Sequence, residues 1–247
     1  ANTSGSRNVA MGQQALYSNL NASDNVAFGH AALNSNTSGS NNTAYGSQAL
    51  QANSTASDST AVGYKALYSN QTGVRNTAVG YQAGYSAVNN RGTFVGWNAG
   101  YATTGGDNTF LGESSGTATT SGTDNTAVGC LSLFSNTIGS TNTVVGSYAG
   151  YGITQGSNNA CVGYGTGSTV TTGNYNSLYG TQDNTLTTGS YNVLIGRYAQ
   201  VQSSSTSYTI VINSDNTPRT DKGSSTGYIF SGGGMYQGNN SASWATT

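Results

Sequence analysis

Apolar and polar residues alternate in short segments that return about every 17 residues along the chain. Each segment ends in a glycine, as in Asn76-Thr77-Ala78-Val79-Gly80. The glycines that close the copies are Gly12, Gly29, Gly46, Gly63, Gly80, Gly96, Gly112, Gly129, Gly146, Gly163, Gly180 and Gly196. A nearly fixed period of this length indicates a repeat architecture with one structural unit per copy. We number the coils 1 to 12 by these glycines and count positions from them, so that Val79 is at −1.

The residue types around each glycine favour β-structure. Position −1 is always apolar or aromatic, Thr is common at −3, and windows with helical periodicity are absent. The pattern predicts two short strands per coil, Thr77–Val79 and Gln82–Tyr85, with the glycine at the corner between them. Asn stands at −4 in most copies, and stacked coils would align these side chains in ladders. The expected fold is all-β: a parallel β-solenoid or β-roll of about twelve coils, each 16–17 residues long.

Positions −2 and +4 change size together. The residues at −2 are Ala10, Ala27, Ala44, Ala61, Ala78, Phe94, Phe110, Ala127, Val144, Cys161, Leu178 and Leu194. Those at +4 are Leu16, Leu33, Leu50, Leu67, Gly84, Gly100, Gly116, Leu133, Gly150, Gly167, Asn184 and Gln200. Where +4 loses its Leu, −2 becomes larger, except for the pair Ala78 and Gly84. Conserved volume of this kind predicts that both columns fill one shared interior.

Positions −1 and −2 are neighbours on a strand, so they face opposite ways although both are apolar. One face fills the interior, and the other would form a long exposed apolar stripe unless it is covered. The pattern therefore predicts an assembly of several chains side by side.

Composition and charge narrow the possible partners. Charged residues make up 6% of the sequence and the formal net charge is −1, which excludes the basic surface of a nucleic-acid-binding protein. The sequence contains no run of about 18 apolar residues, so it predicts no membrane insertion. Cys130 and Cys161 differ in register by nearly two coils, so we expect free thiols. The chain begins in mid-repeat, and we expect it to be a piece of a longer polypeptide.

The segment from Asn76 to Gly84 resembles the repeats of bacteriophage tail fibres and is similar to the head repeats of trimeric autotransporter adhesins. The resemblance covers about residues 1–200, the expected solenoid domain. Both families form homotrimers of parallel β-rolls, which implies three chains here. The 17-residue period favours the phage family, because adhesin heads usually have shorter repeats.

Residues 201–247 form the second expected domain, a non-repetitive C-terminal β region. A Ser-rich connector leads to the degenerate strand Tyr208–Ile212, and the last 40 residues resemble the segment before the endosialidase-type chaperone of phage fibres and spikes. In that family the chaperone trimerises the chain and then removes itself. The resemblance implies a matured tail protein that ends at Thr247.

Aromatic side chains are the main candidates for recognition. Polar residues fill position +1 in most other coils, so the aromatic residues there are expected to point outward and to stack on sugar rings. The candidate glycan contacts are Tyr64, Tyr81, Trp97 and Tyr164, with Tyr228, Tyr236 and Trp244 in the C-terminal region. The competing interpretation is that these rings pack against the aromatic column at +5, against another chain, or in a trimer core.

Catalytic chemistry has little support in the sequence. His30 is the only histidine, at the variable position +1, and we predict no catalytic residues, metal site or cofactor. Asp107 and Asp124 both stand at −5 on adjacent coils. The expected distance between stacked coils would suit the carboxylate pair of a retaining glycosidase. The same column holds Arg75 and Arg91, and we expect exposed ion pairs of Asp58 with Arg75 and of Arg91 with Asp107.

The expected function is that of a structural and receptor-binding part of a phage tail fibre in the extracellular virion tail. Its expected partners are two further copies of the chain, host polysaccharide or lipopolysaccharide, and other tail proteins on the N-terminal side. The alternatives are a bacterial trimeric adhesin head and a capsule depolymerase. A further hypothesis, ice binding by the Thr column, has weaker support, because that column shares its strand face with the bulky residues at −1.

Overall fold

The computed structural model of the chain describes residues 3–180, 185–213, 219–220, 227–231, 234–238 and 245–246, the last four segments by their backbone alone. These residues form a parallel β-solenoid of about twelve turns, with no helix among them, which confirms the predicted fold class. The chain divides into two compact units, Ala1–Asn125 and Thr126–Thr247.

The first unit contains one three-residue strand in each of coils 1 to 7. These strands are β1 (Val9–Met11), β2 (Val26–Phe28), β3 (Thr43–Tyr45), β4 (Thr60–Val62), β5 (Thr77–Val79), β6 (Thr93–Val95) and β7 (Thr109–Leu111). Each pairs in parallel with the next, and equivalent positions face each other, as Ala78 faces Phe94.

The second unit continues the same pattern. Its strands are β8 (Thr126–Val128), β9 (Thr143–Val145), β10 (Ala160–Val162), β11 (Ser177–Tyr179), β12 (Val193–Ile195), β13 (Ala199–Gln200), β14 (Ile210–Asn213), β15 (Arg219–Thr220), β16 (Gly227–Ser231), β17 (Gly234–Gly238) and β18 (Ala245–Thr246). Strand β14 pairs in parallel with β12, so the predicted degenerate strand adds one more rung to the sheet. The antiparallel pairing of β16 with β17 and of β17 with β18 ends the parallel order.

The prediction of a second strand is wrong for coils 1 to 10, and among the described residues only β13 (Ala199–Gln200) of coil 12 lies at that place. Residues 81–86 of coil 5 form consecutive turns, because Gln82 and Gly84 have φ angles of 52° and 58°. Left-handed backbone at alternate residues interrupts the extended conformation of a strand. Coils still bond to one another here, as when the N–H of Gln82 donates to the carbonyl of Tyr64.

The anchor glycine allows the coils to approach closely. Gly80 has a φ of +137°, and a methyl group on its Cα would lie 2.4 Å from the carbonyl oxygen of Gly96 in the next coil. A side chain at this position would therefore clash with backbone and also force an unfavourable φ. The glycine column sets the coil spacing as well as the corner.

Position −2 faces the interior from β2 to β12, and −1 and −3 face outward. The shared interior of −2 and +4 is confirmed, because a methyl group on Gly100 would lie 2.4 Å from the ring of Phe94. The same ring lies 2.6 Å from such a methyl on Gly84. Phe94 of the following coil thus fills the space that the small residues Ala78 and Gly84 leave, which explains why this pair is an exception. The pair of Leu178 with Asn184 lies outside the described residues.

Buried asparagines at −4 connect successive coils. The backbone N–H of Asn42 donates to Oδ1 of Asn25 at 3.0 Å, and Nδ2 of Asn42 donates to the carbonyl of Ala56 at 2.8 Å. In coil 6 the column changes to Gly92, where a methyl group would lie 2.5 Å from the Phe94 ring. The Phe94 ring therefore occupies the space that a side chain at position 92 would need.

Candidate functional site

The predicted contacts at +1 in the first unit lie at one corner of coils 4 to 6. Tyr64, Tyr81 and Trp97 follow the anchor glycines, and 40%, 44% and 50% of their surfaces are exposed. The outward orientation predicted for this column is confirmed. Register explains the position, because parallel pairing in phase places equivalent residues of successive coils side by side.

These three rings stack on one another rather than on the aromatic column at +5. The centroids of Tyr64 and Tyr81 are 5.3 Å apart with planes at 25°, and those of Tyr81 and Trp97 are 6.3 Å apart at 13°. We call Tyr64, Tyr81 and Trp97 the first ladder. Stacking covers the inner ring faces, so the first ladder presents mainly ring edges and polar atoms to solvent.

A second ladder runs beside the first at +5 and consists of Tyr68, Tyr85 and Tyr101. Its centroids are 5.0 Å apart in both steps, and its rings are half-buried. Lys65 bridges the two ladders, with Nζ 5.3 Å from the Tyr64 centroid and 5.2 Å from the Tyr68 centroid. A hydrogen bond with the Tyr64 side chain raises the pKa of Lys65, which keeps its ammonium charged.

The fourth predicted contact, Tyr164, lies in the second unit and is 59% exposed. Its ring meets that of Tyr148 edge-on, with centroids 6.1 Å apart and planes at 62°. Tyr148 in turn lies 5.8 Å from Tyr151. This cluster has the same residue type as the first ladder but a different geometry.

The C-terminal candidates are placed only in part. Tyr228 lies on β16 opposite Gln237, and Tyr236 lies on β17 opposite Ile229. The side chains of Tyr228 and Tyr236, and the whole of Trp244, lie outside the described residues. Their role as glycan contacts stays a prediction.

Two exposed tyrosine and phenylalanine stacks were not predicted as sites. Tyr175, Tyr191 and Tyr208 occupy position −5 and stack with centroids 4.9 Å apart in both steps. Phe28 and Tyr45 at −1 stack at 4.7 Å. The sequence contains the signal, because position −5 is Tyr in coils 11 and 12 and at the equivalent place before β14, Tyr208.

The charged members of position −5 form ion pairs on the surface of the first unit. Arg91 makes a two-pronged contact with Asp107, which confirms that predicted pair, and Arg7 does the same with Asp24. Among the described residues, the predicted pair of Asp58 with Arg75 is not formed, and Asp58 instead accepts a hydrogen bond from Asn41 at 3.1 Å.

The hydrogen bond from Arg91 lowers the pKa of Asp107. A glycosidase acid needs the opposite shift, so that it holds a proton near neutral pH. Within the described segments no three His, Cys, Asp or Glu side chains converge as metal ligands, and His30 is exposed. Cys130 and Cys161 are free thiols, as predicted.

Comparison with protein-family models, curated proteins and solved structures gives no match to this chain. The described residues also contain no helix that is long and apolar enough to cross a membrane.

Proposed function

We propose that this chain is a structural and receptor-binding segment of a bacteriophage tail fibre that attaches to glycans on the host surface. The observation that supports this most is the first ladder, an exposed aromatic row on a repetitive β-scaffold with few charged residues. Aromatic and polar side chains held on rigid elements suit recognition of a sugar surface. We assign the chain binding rather than catalysis, and a location in the extracellular virion tail.

The proposed assembly is a homotrimer. In both units, apolar side chains at −1 remain exposed on the outward strand face, among them Val79, Val95 and Val145. An apolar stripe of this kind on a β-solenoid is well suited to be covered by other copies of the chain. The Thr column shares this face, which fits its use in an interface better than in ice binding.

Binding of the purified chain to an array of bacterial lipopolysaccharides and capsular polysaccharides tests the proposed function. We expect saturable binding to a subset of surface glycans without release of reducing sugar. Replacement of Tyr64, Tyr81 and Trp97 by Ser should weaken that binding, and the same change at Tyr175, Tyr191 and Tyr208 is the matched control. Absence of binding to every glycan would refute attachment through sugars, and release of reducing ends would favour a depolymerase.

A further inference from the structure

The first ladder ends abruptly at Trp97. Tyr81 has a ring on both faces, and Lys65 lies over Tyr64. Trp97 contacts a ring on one face only, and among the described residues no aromatic ring or cation lies over the other. Because the rings stack along the coil axis, this second face of Trp97 points toward coil 7.

Coil 7 carries non-aromatic side chains where coils 4 to 6 carry rings. The N–H of Ser114 donates to the carbonyl of Trp97 at 2.8 Å, so the backbones stay in register. Glu113 takes the position of Trp97, and Thr117 takes that of Tyr101. The surface therefore steps down from coil 6 to coil 7, and we call this step the ledge.

Polar groups line the ledge. Glu113 is exposed and is the only glutamate in the sequence. A methyl group on Gly96 would lie 3.1 Å from the backbone nitrogen of Glu113, which places this residue directly beside the Trp97 coil. Oδ1 of Asn98, at +2 between Trp97 and Tyr101, is buried and accepts no hydrogen bond from the described residues.

Charge and shape define the ligand. The face of an indole ring carries negative charge density that attracts the C–H groups on the flat side of a pyranose. An ionised carboxylate accepts hydrogen bonds from hydroxyl groups but repels other anions. We infer that the ledge binds a neutral pyranose unit, stacked on the face of Trp97 that carries no ring, with its hydroxyl groups donating to Glu113. This inference rests on the proposed glycan attachment and specifies its site.

Fluorescence can test the ledge directly because the sequence contains only two tryptophans, Trp97 and Trp244. In a Trp244→Phe background, Trp97 is the sole reporter. We expect saturable changes in its emission with a methyl hexoside of glucose, galactose or mannose, and binding of methyl glucuronide about tenfold weaker or less, as loss of a charge-assisted contact and repulsion predict. The variant Glu113→Gln should remove most of this discrimination against the charged sugar.

Array binding separates the inference from the proposed function. Trp97→Ala should weaken glycan binding about tenfold or more, whereas Trp97→Phe should retain part of it. Tyr175→Ala is the matched control, since Tyr175 is an exposed ring outside the candidate contacts, 50% exposed like Trp97, and it should leave binding unchanged.

Three outcomes would contradict the proposal that the ledge binds a neutral pyranose. They are unchanged array binding by Trp97→Ala, no emission response to any neutral hexoside up to its solubility limit, and stronger response to the glucuronide than to the hexosides. In each case continued array binding by the parent chain would leave the proposed function intact. Loss of array binding by the parent chain itself would refute the glycan attachment instead.

Discussion

Individual residues in this protein are constrained mainly by the neighbouring coil. The anchor glycine illustrates this, since the carbonyl oxygen of the next anchor glycine leaves no room for a side chain at this position. The size exchange between −2 and +4 has the same origin, because Phe94 fills space above Gly100 and also above Gly84 of the previous coil. Such contacts make the effects of single substitutions strongly dependent on adjacent repeats.

Replacement of Gly80 by Ala should destabilise the protein by several kcal/mol, since backbone strain alone costs about 1–3 kcal/mol and the new methyl also meets a carbonyl at 2.4 Å. Gly106→Ala is the control, because the nearest atom to its methyl would be 3.2 Å away. Chemical denaturation followed by circular dichroism measures both variants. Equal loss of stability in the two would contradict this account of the glycine column.

Gly100→Leu should destabilise the chain by about 1–3 kcal/mol through overpacking, and Phe94→Ala by about 3–5 kcal/mol through a cavity. The double variant should be more stable than the sum of these changes predicts, because it recreates the Ala and Leu pair of coils 1 to 4. A double-mutant cycle from denaturation curves measures the coupling. Additive effects would show that the two columns do not share volume.

Cys161 gives the interior a pH dependence. Burial raises the pKa of its thiol from 9.0 to about 12. The unfolded chain therefore loses this proton before the folded chain does, and stability that is complete below about pH 9 should fall as the pH rises toward 12. Cys161→Val, which copies Val144 in the preceding coil, keeps every tyrosine but should flatten that fall. Parallel curves for the parent and the variant would exclude the thiol as a cause.

Coils 1 to 10 each consist of a single strand followed by a run of turns with left-handed residues at fixed positions. The strand, the inward face of −2 and the interior shared with +4 could be predicted from residue types. The turns at 82–85 could not, because a hydrophobic period does not report the sign of φ. The ladders were only partly predictable: exposure of +1 follows from its polar occupants elsewhere, whereas stacking depends on register and rotamers.

Position −5, just before each strand, is left-handed throughout the described coils, as in Asn41, Asn158 and Tyr175. Thr141 also has a φ of 59°, which is unfavourable for a β-branched residue. We expect Thr141→Asn to stabilise the chain by about 1 kcal/mol by relieving this strain. Thr143→Asn, in strand β9, is the control and should be neutral or destabilising, as thermal melts of both variants can show. A stability loss at position 141 would contradict the proposed strain.

At the scale of the whole molecule, the outward face of the strands decides how chains associate. The sequence predicted that both faces of each strand need cover, and the structure assigns the interior to −2 and leaves −1 exposed. The number of chains stays a prediction, since an apolar stripe specifies contact without specifying symmetry.

Light scattering of the purified chain should give three times its mass of 25.0 kDa. The variant with Val79→Lys and Val95→Lys places charges in the proposed interface and should reduce the mass about threefold, to that of one chain, since unpaired buried charges are costly. Asn89→Lys with Ser121→Lys adds the same charge at exposed loop positions and should leave the mass unchanged. A parent chain with the mass of a monomer at micromolar concentration would refute the trimer.

A chain built from similar repeats faces a hazard during folding, because a coil can dock on the wrong partner with nearly the same backbone hydrogen bonds. Phe94 distinguishes the correct order. In the native stack its ring lies against Gly84, but a stack that omitted coil 5 would bring it against Leu67, where no comparable space exists. The bulky interior of coils 6 and 7 therefore favours the correct order of coils during folding, because the size of one side chain distinguishes repeats that are otherwise interchangeable.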